Sequence, residues 1–146
     1  MPTAARLVAA LLWGALAWQI SQLIIPLLPE GSQIGMFVEV NVVLGLIIGW
    51  TVAGSRAGQG FSGAVGYGIT ASVALVVVGL FTHASVEMVY RSLEKRYRDA
   101  GEAVIGVFDL MTQFGKTIMT TDIVLTLLVG GIAAGLVTEA VNRRWR

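Results

Sequence analysis

Residues 57–86, AGQGFSGAVGYGITASVALVVVGLFTHASV, carry no charged side chain. A helix rises about 1.5 Å per residue, so about 20 of these residues already cross the roughly 30 Å hydrocarbon core of a bilayer. Working outward from that run, three more uncharged, strongly apolar stretches follow, at residues 7–28, 40–55 and 123–138. Together the four occupy more than half of the 146 residues. A soluble chain of this length carries about a quarter of its residues charged. Here 13% are charged and 55% are hydrophobic, and the mean hydropathy is +0.77. The reading is an all-α integral membrane four-helix bundle, one membrane domain over residues 1–146, with the lipid bilayer as its solvent and first partner.

The spans are expected at about residues 4–28, 35–54, 61–83 and 122–141. Pro26 and Pro29 close the first, because proline lacks the amide hydrogen that the preceding turn needs. Ala15-Leu16-Ala17 has the small-x-small form of a signal-peptide cleavage site, but the apolar run continues to Leu28, which favours a retained span. Ser32 or Gln33 is expected to start the second helix and Ala53 to end it. Gly54 to Gly60, with glycines at 54, 58 and 60 around Arg56, reads as a short loop.

The third helix is too long for a membrane, since its pattern continues to about Arg98. Past the lipid, Val86, Tyr90, Leu93 and Tyr97 recur at helical spacing, and Glu87 with Arg91 and Glu94 with Arg98 form acid-first i,i+4 pairs. Ala100-Gly101 is read as the break. A second amphipathic helix, about residues 102–118, carries Val104, Val107, Met111, Phe114 and Ile118 on one stripe. This amphipathic segment, about 84–118, forms a helical hairpin between the third and fourth spans, either lying in the headgroup plane or folding back on itself. Thr120-Thr121-Asp122 supplies capping chemistry for the last span.

Lysine and arginine set orientation. Arg6, Arg56, Arg143, Arg144 and Arg146 fall on one side; Arg91, Lys95, Arg96, Arg98 and Lys116 fall on the other, within a folded segment partly remote from the membrane ends. Both termini are therefore expected in the cytoplasm. The net charge of +1, with cations and carboxylates intermixed, argues against a nucleic-acid partner. The chain has no cysteine and one histidine, His83, so no metal site and no cofactor is expected.

Three polar residues are candidate ligand-binding groups. Glu39 and Asn41 fall in the second span, where a carboxylate at depth costs about 2.5 to 3.5 kcal/mol on insertion scales. If Glu39 lies just inside the interface, it is an inexpensive N-terminal carboxylate; if the helix begins at Ser32, it sits two turns in and must face protein or water. Gln19 and Gln22 are candidate hydrogen-bond partners for that pair. Arg56, beside glycine amides that can form a concave nest, is a candidate oxyanion ligand, against its simpler reading as a topology-setting cation. Glu139 reads as a surface partner of Arg143. Gly45 with Gly49, and Gly131 with Gly135, are G-x-x-x-G pairs for helix packing, within the chain or between copies. No nucleophile with an adjacent base and no phosphate-cradling loop occurs, so no enzyme is expected.

Several ordered strings carry a resemblance. They are Leu27-Leu28-Pro29-Glu30-Gly31, Glu39-Val40-Asn41, Gly49-Trp50, Arg56-Ala57-Gly58-Gln59-Gly60, Arg91-Ser92-Leu93, Arg96-Tyr97 and the ending Arg143-Arg144-Trp145-Arg146. Across essentially its whole length the chain resembles the TrgA family of small bacterial inner-membrane proteins associated with tellurite resistance. The resemblance implies a multi-pass inner-membrane protein contributing to resistance against that oxyanion, and it brings no established site residues. Without cysteine, the chain has no thiolate with which to trap tellurium. Two other readings stand beside this one: a small transporter or channel subunit, a homo-oligomer built through the glycine faces, and a scaffold whose hairpin binds a membrane-protein partner.

Overall fold

The computed structural model describes residues 3–31 and 34–145, and every regular element among them is helical. The helices are α1 (Thr3–Ile24), α2 (Phe37–Ile48), α3 (Gly60–Leu93), α4 (Ala100–Ile118) and α5 (Thr121–Arg144). Four stretches are long and apolar enough to cross a membrane: Ala4–Leu27, Phe37–Arg56, Gly60–Leu93 and Thr121–Arg144. Between 28% and 44% of each span's most apolar window is buried inside the protein, so most of that surface, including Leu11, Val43, Ile47, Val77 and Val129, faces outward. Outward apolar surface on that scale is what helices that cross a membrane present.

The ends of α1 and α2 follow local chemistry. Pro26 turns the last residues of the first span into a 3-10 turn, Ile25–Leu27. Ser32 and Gln33, the expected start of the second helix, lie outside the described residues, and α2 begins only at Phe37. Gly35 adopts φ 47°, a left-handed conformation that no right-handed helix includes, so the helix starts after it. At its other end α2 runs through a π-helical turn, Gly49–Ala53, into a 3-10 turn, Gly54–Arg56. The wider turn adds one residue. It keeps Gly54, five positions after Gly49, on the same face as Gly45 and Gly49, and all three rest against α1, at Arg6, Ala9 and Trp13.

Backbones approach equally closely between α3 and α5. Gly68 lies on Gly131, Gly131 on Ser72 and Gly135 on Ala64. The register is antiparallel, with the Ser72 hydroxyl donating to the Leu127 carbonyl at 3.1 Å and the Tyr67 hydroxyl to the Gly135 carbonyl at 3.0 Å. Both G-x-x-x-G pairs are thus spent inside one chain, α2 against α1 and α5 against α3, and they do not pair with each other. Trp13, Ile20, Leu75 and Ile123 fill the core between them.

At about 1.5 Å per residue the 34-residue α3 is about 51 Å long, well beyond the roughly 30 Å of hydrocarbon. Its outer part carries α4 as an antiparallel hairpin, packed through Ala84, Val107 and Leu110. Three expectations fail here. α3 stops at Leu93 rather than Arg98, because the Arg96 amide donates to the Arg91 carbonyl and the Lys95 amide to the Ser92 carbonyl, a Schellman ending with Lys95 at φ 59°. Ala100 and Gly101 are not a break but the first turn of α4, capped by Asp99, whose carboxylate accepts from the Glu102 amide at 2.8 Å. Glu94 pairs with Arg96 at 2.8 Å, not with Arg98, whereas Glu87 and Arg91 do pair, at 2.9 Å.

The expected stripe of α4 packs inward at Val107, Met111, Phe114 and Ile118 and differs at its start. Gly106, Val107 and Leu110 face α3, and Val104 points outward. The Tyr97 ring occupies the space a side chain at position 106 would need, so the hairpin turns about Gly106 and rotates Val104 out.

Candidate functional site

The two ends of the bundle hold different polar assemblies. At the end where both termini lie, the loop between α2 and α3 is fastened to α5 by Glu139. Its carboxylate accepts from the Gly58 amide at 2.7 Å and the Gly60 amide at 3.1 Å, shares the one proton of the Tyr67 hydroxyl, at 3.4 Å, with the Gly135 carbonyl, and pairs with Arg143 at 3.5 Å. Glu139 is 1% exposed, so its reading as a surface partner of Arg143 is corrected: the ion pair exists, but the acid is buried. Gly58 and Gly60 have φ of 106° and 84°, which only glycine adopts freely, and that conformation turns both amides toward one anion. Arg143 in turn lies over the Phe61 ring at 4.2 Å, which keeps the guanidinium beside the loop.

This arrangement revises the reading of Arg56. A nest of glycine amides is present, but its anion is the protein's own carboxylate, and Arg56 is exposed beside it. Glu139 takes the Gly58 and Gly60 amides in charge-assisted bonds. Deeper in the same half, Trp13 is wholly buried with its indole N–H lacking an acceptor, and the Arg6 Nε, packed beside Gly54, also lacks one among the described residues.

At the opposite end a neutral chain joins three helices. The Ser21 hydroxyl donates its one proton to the Ala17 carbonyl at 2.7 Å and so accepts from the Asn41 amide at 3.0 Å. That fixes the Asn41 amide, whose oxygen then faces His83 Nε2 at 2.8 Å, and the histidine must donate there. Phe37 packs on the imidazole with ring centroids 4.7 Å apart. Asn41 therefore sits at the centre of a bond network, while Glu39, two residues away, points out. α2 begins at Phe37, so Glu39 is the exposed carboxylate of its first turn, where it favours the helix dipole, and not a group two turns in.

The candidates are thus not brought together. Glu39 and Asn41 face different ways on α2, and Arg56 lies at the other end of the bundle. Gln19 and Gln22 are exposed; Ser21, between them, makes the contact expected of them. Ser21 and Tyr67 were not anticipated as site residues. Both are hydroxyls inside apolar runs, the one signal that pointed to them. Among the described residues no group of three His, Cys, Asp or Glu could hold a metal.

No family model, curated protein or solved structure matches this chain. The TrgA resemblance rests on its local strings alone.

Chemically, the loop end is a latch of fixed charge and the far end a tether of neutral hydrogen bonds. What lies outside the bundle is the α3–α4 hairpin. Its outward surface carries Val89, Tyr90 and Leu93 on α3 and Val104, Ile105 and Phe108 on α4, all exposed.

Proposed function

We propose that this chain is a non-catalytic protein of the bacterial inner membrane that contributes to tellurite resistance, and that its α3–α4 hairpin organises another membrane protein. The observation that carries this reading is the exposed apolar surface of the hairpin. α3 exceeds the hydrocarbon thickness by about 20 Å, whereas a headgroup layer accounts for only about 5–8 Å on each side, so an upright α3 holds its tip in water. Tyr90, Leu93, Ile105 and Phe108 are the kind of exposed patch that marks a protein contact. The TrgA resemblance supplies the link to tellurite. The latched bundle serves as the rigid anchor. A channel subunit assembled through the glycine faces is less favoured, because those faces are already covered within the chain.

In this reading both termini and the Arg56 loop are cytoplasmic and the hairpin is periplasmic. The absence of cysteine makes the topology directly measurable. An impermeant maleimide is expected to label Lys95→Cys and not Ser55→Cys in intact cells. For function, deletion of the gene is expected to lower tellurite tolerance. Wild-type protein restores it, and a Tyr90→Glu, Phe108→Glu double variant that still inserts and folds does not. Unchanged tolerance in the deletion strain, with expression verified beforehand, overturns the link to tellurite. Full restoration by the double variant overturns the role of the hairpin.

A further inference from the structure

Where α4 returns to the bundle, a cavity of about 120 Å³ lies between α3, α4 and α5, open on one side and lined among others by Val76, Leu80, Gly115, Ile118, Ile123 and Leu127. About four waters fit such a volume, but each needs two to four polar partners, and this wall is almost wholly apolar. Cavities of that kind stay dry and take apolar guests.

Depth decides the guest. Val76 and Leu80 lie about 24 and 30 Å along α3 from Gly60, at about 1.5 Å per residue, just beneath the far edge of a hydrocarbon core about 30 Å thick. The rim residue Met119 is largely exposed, and Val77, Phe81 and Leu128, each next in sequence to a lining residue, are exposed apolar residues of the spans α3 and α5. At that level the cavity faces the upper part of an acyl chain. Lys116 follows the lining residue Gly115, is exposed, and takes part in none of the ion pairs among the described residues. A lysine at a helix end near the interface extends its ammonium toward headgroups.

We propose that this cavity is a phospholipid site, which takes one acyl chain between α3, α4 and α5 and holds an anionic headgroup at Lys116. The lipid fills the junction between the bundle and the hairpin. It thereby fixes the hairpin against the membrane.

The test uses the full chain in nanodiscs of phosphatidylethanolamine with phosphatidylglycerol as the minor component, doped with a phosphatidylglycerol bearing a diazirine on the upper acyl chain. After illumination, adducts are expected to concentrate on the lining residues over Val43 and Ile47, which face lipid on α2. Gly115→Leu is the filling variant; a Cβ there meets only Leu80 Cδ1, at 3.8 Å, so the added chain has space to enter. It is expected to abolish the enrichment. Lys116→Gln is expected to remove the preference for phosphatidylglycerol over a diazirine phosphatidylethanolamine. Labelling of the lining no stronger than at Val43 and Ile47 overturns the site, as does enrichment unaltered in a folded Gly115→Leu protein. Should that variant not fold, the wild-type comparison decides alone. Equal labelling by both headgroups in the wild type overturns the role of Lys116.

Discussion

The two ends of the bundle solve the same problem, joining helices, by opposite means. At the loop end a full charge is buried and met by two glycine amides, a guanidinium and a phenol whose one proton is shared with the Gly135 carbonyl. At the far end nothing in the chain of Ser21, Asn41 and His83 need be charged; Ser21 is buried, and Asn41 and His83 are partly so. A buried charge holds tightly but fails abruptly when a partner is lost, whereas a neutral network loses one modest bond at a time. The latch is therefore the brittle end and the tether the compliant one. That difference suits a molecule whose hairpin leaves from the tether end.

The comparison breaks most readily at Glu139. In Glu139→Ala the Gly58 and Gly60 amides lose their acceptor and their unusual conformations lose the bond that holds them. A loss on the order of 3 kcal/mol is expected. It is measured as a fall in unfolding midpoint in detergent, together with protease sensitivity in the loop between α2 and α3. Formate, which can re-enter the vacated nest as a carboxylate, is expected to recover part of the loss, and chloride at equal concentration less. A stability within 0.5 kcal/mol of wild type, the usual range for surface changes, would show that the buried carboxylate does not hold the loop.

A milder effect is expected at the tether. Asn41→Leu keeps the volume and apolar character of α2 but removes both bonds, and interhelical bonds of this kind average about 0.6 kcal/mol with a maximum near 1.7. Roughly 1 kcal/mol is expected, without protease sensitivity at the opposite loop. Ser21→Ala should cost less, since Asn41 keeps His83. If Asn41→Leu proves as damaging as Glu139→Ala, the contrast between the ends is wrong, and the neutral chain is the principal clasp of the bundle.

Much of this was legible in the residues. Four spans, an over-long α3 and a returning amphipathic helix follow from hydropathy, length and periodicity, because those quantities are local. The glycine pairs announced close helix contacts, but not which helices meet, since G-x-x-x-G describes one surface and not its partner. Glu139 was misjudged for the same reason. Its spacing to Arg143 is local, while the amides of Gly58 and Gly60 that bury it lie some 80 positions earlier. The α4 stripe was read correctly at Val107, Met111, Phe114 and Ile118, which pack inward, but not at Val104, because Gly106, which has no side chain to count as apolar, makes the contact there. Asn41 stood out as a polar residue in an apolar helix, and its hydrogen-bond partner was sought in Gln19 and Gln22 rather than in the smaller Ser21.

Glu39 and Arg56 give the smallest expected effect and the sharpest control. Both stood out as charges in or beside apolar helices, and both prove exposed. Glu39 in the first turn of α2 gains at most the few tenths to 1 kcal/mol that a helix N-terminus offers a carboxylate. Arg56 makes none of the ion pairs among the described residues, and its neighbouring amides are already taken by Glu139. Glu39→Gln and Arg56→Gln should each shift stability by no more than about 0.5 kcal/mol. Complementation of a tellurite-sensitive deletion strain should be unaffected by Glu39→Gln. A large loss of tolerance from Glu39→Gln with stability intact would mean that an outward carboxylate at the tether end contacts something outside this chain, and would move the functional surface from the hairpin to the first turn of α2.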